Sequence, residues 1–168
     1  MNTPSEFVVV DIETTGLKPA EAEIIEIAAI KVKNGEIVDV FQTLIRPEYG
    51  VPAFISNFTG ITEAMVGESP HVVEVLIPFC EFIDQLPVVG HNIKFDLNFL
   101  NFNTKQYFHY VIENRSIDTL ILARKYIKGT KNHKLETLAT YFGIDITNNH
   151  RALKDCYMTL EVYHRLTK

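Results

Sequence analysis

Hydrophobic and polar positions alternate differently in the two parts of this chain. Phe7-Val8-Val9-Val10 is a short, β-rich apolar run and reads as a buried strand. It leads directly into Asp11-Ile12-Glu13 and then Thr14-Thr15-Gly16. Residues 24–32 carry Ile24, Ile25, Ile27, Ile30 and Val32 and predict a second strand. Lys33-Asn34-Gly35-Glu36 follows, and its Asn-Gly pair suits a tight hairpin turn. Residues 37–45 then predict the returning strand, stopped before Pro47. The chain therefore opens as a three-stranded antiparallel meander.

Further along, the spacing becomes helical. Val72, Val73, Leu76, Phe79, Cys80 and Ile83 recur at helical intervals, with Ser69-Pro70 as the expected start. Pro87-Val88-Val89-Gly90 predicts a short strand, and residues 93–102 a helix. Residues 117–126 predict another helix with Asp118 as its cap, and residues 135–142 a third, closed by Gly143. The last helix is expected over 151–166, with Leu153, Tyr157, Leu160, Val162, Tyr163 and Leu166 on its apolar side. Strands first, then helices mixed with short strands, imply an α/β or α+β domain around one mixed sheet.

Size and composition narrow the function classes. The 168 residues suffice for one domain, expected to span 1–168, and 46% hydrophobic with 22% charged residues is ordinary for a globular protein. The net charge of −5 and the lack of a Lys/Arg block argue against a protein that grips long duplex DNA through counterion release. They leave room for an enzyme that handles only a strand end and borrows positive charge from metal. Cys80 and Cys156 have no metal-ligand spacing and read as reduced buried thiols. With a polar start and no apolar run of spanning length, no signal peptide or membrane segment is expected, and the cytoplasm is the default compartment.

Three segments carry candidate chemistry. Asp11 and Glu13 are two apart at the end of an apolar strand, so alternation puts both carboxylates on one face. Like charges there repel and lose hydration. Either the strand end has emerged into water, or a hard divalent cation sits between the acids. Gly90-His91-Asn92-Ile93-Lys94-Phe95-Asp96 runs from a strand end into a helix start, where Asp96 also suits the helix dipole as an ordinary first-turn acid. His150 precedes the last helix and Asp155 lies about one turn inside it. Positions five apart do not share a helix face, so both reach one site only if His150 lies on the preceding loop.

In combination these segments resemble the DEDDh (DnaQ-like) exonucleases, the family of the epsilon subunit of DNA polymerase III and of the Gram-positive replicative polymerase's exonuclease domain. Residues 7–17, from Phe7 through Asp11-Ile12-Glu13-Thr14-Thr15-Gly16 to Leu17, are similar to its first motif. Val89-Gly90-His91-Asn92-Ile93-Lys94-Phe95-Asp96 is similar to the second, and His150-Arg151-Ala152-Leu153-Lys154-Asp155 to the third. Thr59-Gly60-Ile61-Thr62, Ile117-Asp118-Thr119-Leu120 and Lys131-Asn132-His133-Lys134-Leu135 add to the likeness, which runs from about residue 7 to 166.

The resemblance implies a ribonuclease H-like fold: a mixed five-stranded sheet, its first three strands antiparallel, flanked by helices. It implies two divalent ions, Mg²⁺ or Mn²⁺, held by Asp11, Glu13, Asp96 and Asp155, with His150 as general base. It also implies 3′→5′ polarity on single-stranded DNA ends, in proofreading or repair. Substrate contacts are expected through the backbone amides around Thr14 and Thr15, and at Leu17, Ile61, His91, Asn92 and Phe95, with core packing as the alternative for the apolar ones. Lys154, which precedes Asp155, is expected to face solvent. An RNA 3′-exonuclease shares the motifs, and a polymerase-docking module without turnover is the alternative of another class. A DNA polymerase is a candidate partner. The chain stops straight after the last helix, so a stand-alone enzyme or a trimmed piece is expected.

Overall fold

The structure is a computed structural model that describes residues 3–145 and 150–168; Asn149, beside the third motif, and the first two residues of the polar start lie outside them. Strands β1 (Glu6–Thr14), β2 (Ile24–Lys33) and β3 (Glu36–Leu44) form the expected meander. Asn34 and Gly35 take φ of 52° and 85°, the left-handed pair that a two-residue hairpin turn requires, and Lys33 pairs with Glu36 across it. Two more strands join in parallel, β4 (Val88–Gly90) on β1 and β5 (Ser116–Asp118) on β4. The five-stranded order is β3-β2-β1-β4-β5.

The helices are α1 (Ala53–Thr59), α2 (Glu63–Val66), α3 (Val72–Ile83), α4 (Lys94–Phe108), α5 (Thr119–Tyr126), α6 (Leu135–Phe142) and α7 (Ala152–Thr167). None among the described residues is long and apolar enough to cross a membrane.

Several expectations need correction. The segment expected to be helical from 117 is first the strand β5, and the helix starts at Thr119 with Asp118 as its cap, its carboxylate accepting from the Leu120 amide at 2.8 Å. Three residues are too few to show a strand period. Helix α3 starts at His71 rather than Ser69-Pro70, through a reciprocal box in which the Glu74 carboxylate accepts from the His71 amide at 2.8 Å. Helix α4 runs six residues past its expected end, through a polar stretch in which Thr104 alone is buried, and stops at His109 in a left-handed conformation. The short helices α1 and α2 leave no readable period.

The core divides along β1. Its even positions, Val8, Val10 and Ile12, pack with Val75, Leu76, Phe79, Phe99 and Leu100 of α3 and α4. Its odd positions Phe7 and Val9 pack with Ala152, Cys156, Leu160 and Tyr163 of α7 on the other face. This alternation sets where the acids point, because the two odd positions that follow are Asp11 and Glu13.

Candidate active site

Past Val9 the odd face of β1 offers carboxylates instead of apolar side chains, and α7 meets it with Asp155 from its first turn. Carboxylate oxygens of Asp11, Glu13 and Asp155 all lie within 4.8 Å of one another, each residue partly exposed. They gather where β1 ends, beside the parallel strand β4. In sheets of this kind the carboxyl ends of parallel strands form the usual ligand crevice.

Asp96 approaches from the first turn of α4. The turn into that helix is tight: a Cβ at Gly90 would lie 2.5 Å from the Ile93 side chain. Asp96 is buried, and its Oδ1 accepts from the backbone amide of Ile12, between the two strand acids, at 3.0 Å. Asp96 is not among the three carboxylates that meet directly, and neither is His150.

His150 lies on the loop before α7, as the five-residue spacing requires, with φ of 63°. Its backbone amide and its ring both favour the charged form of Asp155. The imidazole rests on Phe58, ring centroids 4.0 Å apart, and Nε2 is 3.0 Å from Oε1 of Glu136 on α6.

The site is under electrostatic load. Burial, and then the charges of Asp96, Asp155 and Glu13, push the Asp11 carboxyl well above the usual range. Burial and then Asp155 push Glu13 to about 8. Burial lifts Asp96 to about 8 and Asp155 to about 6. The native protein thus keeps protons, between about pH 4 and pH 8, that the unfolded chain has released. Their contribution to stability is complete below the ordinary carboxyl pKa and is lost as pH rises through the raised values. In chelator, the unfolding midpoint is expected to fall by roughly 5 °C or more from pH ~5 to pH ~8. Saturating Mg²⁺ or Mn²⁺ should restore more of it at the higher pH. A midpoint that climbs over this interval in chelator would contradict the account.

The predicted substrate residues divide. Leu17 stands 84% exposed just past the acids. Phe95 is half-buried against Phe99, with ring centroids 5.0 Å apart. Of the backbone groups expected to meet substrate, the Thr15 amide donates to the Glu23 carbonyl at 2.8 Å. The hydroxyls are also used internally, Thr14 donating to the Gly16 carbonyl at 2.6 Å and Thr15 accepting from the Glu23 amide at 2.9 Å. Ile61 is fully buried with Ile25, Ile55 and Val66, so core packing accounts for it and no side-chain surface is left to meet a base. His91 binds through Nδ1 to Thr119 Oγ1 at 2.9 Å, and burial holds its pKa below the usual value. The Asn92 amide donates to Asp118 at 3.0 Å from a left-handed backbone. Both therefore brace the second motif against α5. Lys154 is exposed.

Sequence reasoning passed over Glu26, Arg151, Phe58 and Glu136. Glu26 was findable: it is the one acid within the apolar run Ile24-Ile25-Glu26-Ile27-Ala28-Ala29-Ile30. Its carboxylate is completely buried and meets Arg151 beside the cluster. Phe58 and Glu136 gave no such signal, because only tertiary folding brings them to His150.

The profile described as "Exonuclease" matches residues 8–163. The PolC-type DNA polymerase III of Caldanaerobacter subterraneus subsp. tengcongensis is 43% identical over 161 residues, which is 96% of this chain and 11% of that polymerase. The chain therefore spans about a tenth of the PolC-type relative it matches. The DNA polymerase III epsilon subunit of Aquifex aeolicus is 42% identical over 160 residues, 95% of this chain and 79% of that subunit. Among solved structures, Exonuclease X in complex with 5′ overhanging duplex DNA superposes with a TM-score of 0.77 at 29% identity, covering 95% of this chain and 90% of that one. An exonuclease I structure, 22% identical, shares the fold with a TM-score of 0.85 over 98% of this chain and 41% of its own. With the motifs, the ribonuclease H-like sheet and these relatives in agreement, the chain belongs to the exonuclease family, in the DnaQ-like branch with the polymerase III epsilon subunit and the PolC-type polymerases.

Proposed function

We propose that this chain acts as a single-domain 3′→5′ exonuclease that hydrolyses the terminal phosphodiester bond of single-stranded DNA. It releases nucleoside 5′-monophosphates and serves proofreading or repair beside a DNA polymerase. The observation that carries this reading is the meeting of Asp11, Glu13 and Asp155 within 4.8 Å, with Asp96 tied to the strand between the first two.

The donor set fits divalent metal, on which exonucleases of this family typically depend. All four groups are carboxylates, the hard oxygen ligands that Mg²⁺ and Mn²⁺ prefer, and three of them are partly open to solvent. Asp11, Glu13, Asp96 and Asp155 would hold two such ions. When bound, these neutralise the acids and stabilise charge on the attacking and leaving oxygens of the phosphate.

The chain's own groups do the rest. The Ile12 amide fixes one oxygen of Asp96, so that carboxylate is set before substrate arrives. Leu17 offers an exposed apolar surface to the terminal base, and the half-buried Phe95 ring is a candidate to support the next. His150 is the general base for the attacking water. With Nε2–H donated to Glu136, the Nδ1 lone pair accepts the proton.

The test is digestion of 3′- and 5′-labelled DNA and RNA strands of equal sequence in Mg²⁺, Mn²⁺ or chelator. A 3′ label should leave as mononucleotide at once, a 5′ label should shorten stepwise, DNA should be preferred, and chelator should stop both. Preference for RNA would move the substrate to ribonucleic acid, and full activity in chelator would defeat the metal reading.

A further inference from the structure

Beside the carboxylate cluster lies an ion pair that the proposed reaction does not use. Glu26 stands opposite Glu13 in the β1–β2 register, and so on the sheet face that meets α7. Its side chain is 0% exposed, yet four donors reach it. Oε1 accepts from Gln42 Nε2 at 2.9 Å and Arg151 Nη2 at 2.8 Å; Oε2 accepts from Arg151 Nε at 3.1 Å and the Ala152 amide at 3.0 Å.

The last of these bonds matters most. Ala152 is the first residue of α7, and Arg151, at the N-cap position, makes no side-chain capping bond. The helix's opening amide is instead satisfied by an acid 126 residues away in sequence. The same acid takes the fork of the cap residue's guanidinium in a bidentate pair. Burying such a pair adds little to stability, since apolar side chains of equal volume would hold strand and helix together as well. What it adds is direction. A guanidinium fork and a backbone amide on one carboxylate fix both the rotation and the height of the helix start relative to β2.

The next residues along are the ones that matter chemically. His150 immediately precedes Arg151, and the Asp155 amide bonds back to the Arg151 carbonyl at 3.0 Å. Asp11 and Glu13 ride on β1, which is paired to β2 along its whole length.

We propose that Glu26 and Arg151 are positioning residues: a strut from β2 to the start of α7 that sets Asp155 and His150 against the acids of β1. The inference rests on the exonuclease reading only for its kinetic arm. Groups that support a metal's ligands without touching it typically cost about 10–100-fold in affinity or activity when changed.

The test compares Glu26→Gln, Arg151→Met and Arg151→Lys with the unaltered chain at 25 °C. Three readings are taken: the unfolding midpoint, Mn²⁺ affinity by calorimetry without substrate, and kcat and KM on a single-stranded DNA oligomer. For the Gln and Met variants, Mn²⁺ affinity should fall about tenfold and kcat about 10–100-fold, with KM within about threefold of the original. Arg151→Lys keeps the charge but not the fork and should recover part of both losses. A purely structural pair would lower the midpoint and leave Mn²⁺ affinity and kcat unchanged in the folded variants; that result overturns the strut. Should Glu26→Gln fail to fold, the Arg151 variants decide, because that side chain is 34% exposed. An unaltered chain that degrades no strand, combined with weakened Mn²⁺ binding in the variants, would support the strut and end the exonuclease reading.

Discussion

Asp11→Asn should abolish hydrolysis while making the metal-free protein more stable. Asp11 is the acid on which the others converge: after burial, the charges of Asp96, Asp155 and Glu13 are what hold its carboxyl above the usual range. Asparagine keeps the shape and removes the charge. In chelator this relieves repulsion in a partly desolvated cluster, so the unfolding midpoint at pH ~8 should rise. The same change removes a central ligand. Metal at such a site contributes several kcal/mol of transition-state stabilisation, so the loss in kcat/KM should be roughly 10³-fold or more. Stabilisation by Mn²⁺ should shrink with it. The two readings, midpoint in chelator and turnover in metal, move in opposite directions, which simple misfolding cannot imitate. A variant within about tenfold of the original turnover would remove Asp11 from the centre of the site.

The second large effect separates proton transfer from metal holding. His150→Ala is expected to slow hydrolysis by roughly 10²–10⁴-fold, the usual worth of a placed general base. Mn²⁺ affinity should stay near its original value, because the carboxylates that meet within 4.8 Å do not include His150. The fold should survive as well, since the ring lies on Phe58, itself 60% exposed, and pairs with a half-exposed Glu136. Calorimetry on the metal-free variant, followed by single-turnover assays at saturating Mn²⁺, checks both halves. Turnover equal to the original would exclude His150 as the base. A large loss of Mn²⁺ affinity would assign it to the metal site instead.

Much of this was legible before any coordinates. The meander followed from three β-rich runs and an Asn-Gly turn, and the alternation along β1 correctly put Asp11 and Glu13 on a shared face. The spacing of His150 and Asp155 correctly separated a loop residue from a helix residue. What stayed hidden has two physical causes. Elements as short as β5, with three residues, or α2, with four, span too few repeats of their period to stand out from the flanking chain. Contacts such as Glu26 with Arg151, or His150 with Phe58 and Glu136, join segments whose proximity depends on strand order and helix packing. Ile61 shows the converse: the motif around it suggested a contact with substrate, while its packing against Ile25 and Val66 claims the side chain entirely.

The hydrogen bond from Ile12 to Asp96 has a consequence for how this site can be dissected. Its donor belongs to the main chain, so alanine scanning passes over position 12 without disturbing it, registering only the loss of an apolar contact. Nineteen of the twenty genetically encoded residues supply the same N–H; proline does not. An amide-to-ester replacement at that peptide unit removes this one donor while keeping every side chain, and weakens only the Asp11 carbonyl of the same unit as an acceptor. Position 12 can therefore change among the apolar side chains that its place in the core accepts while the anchor itself persists.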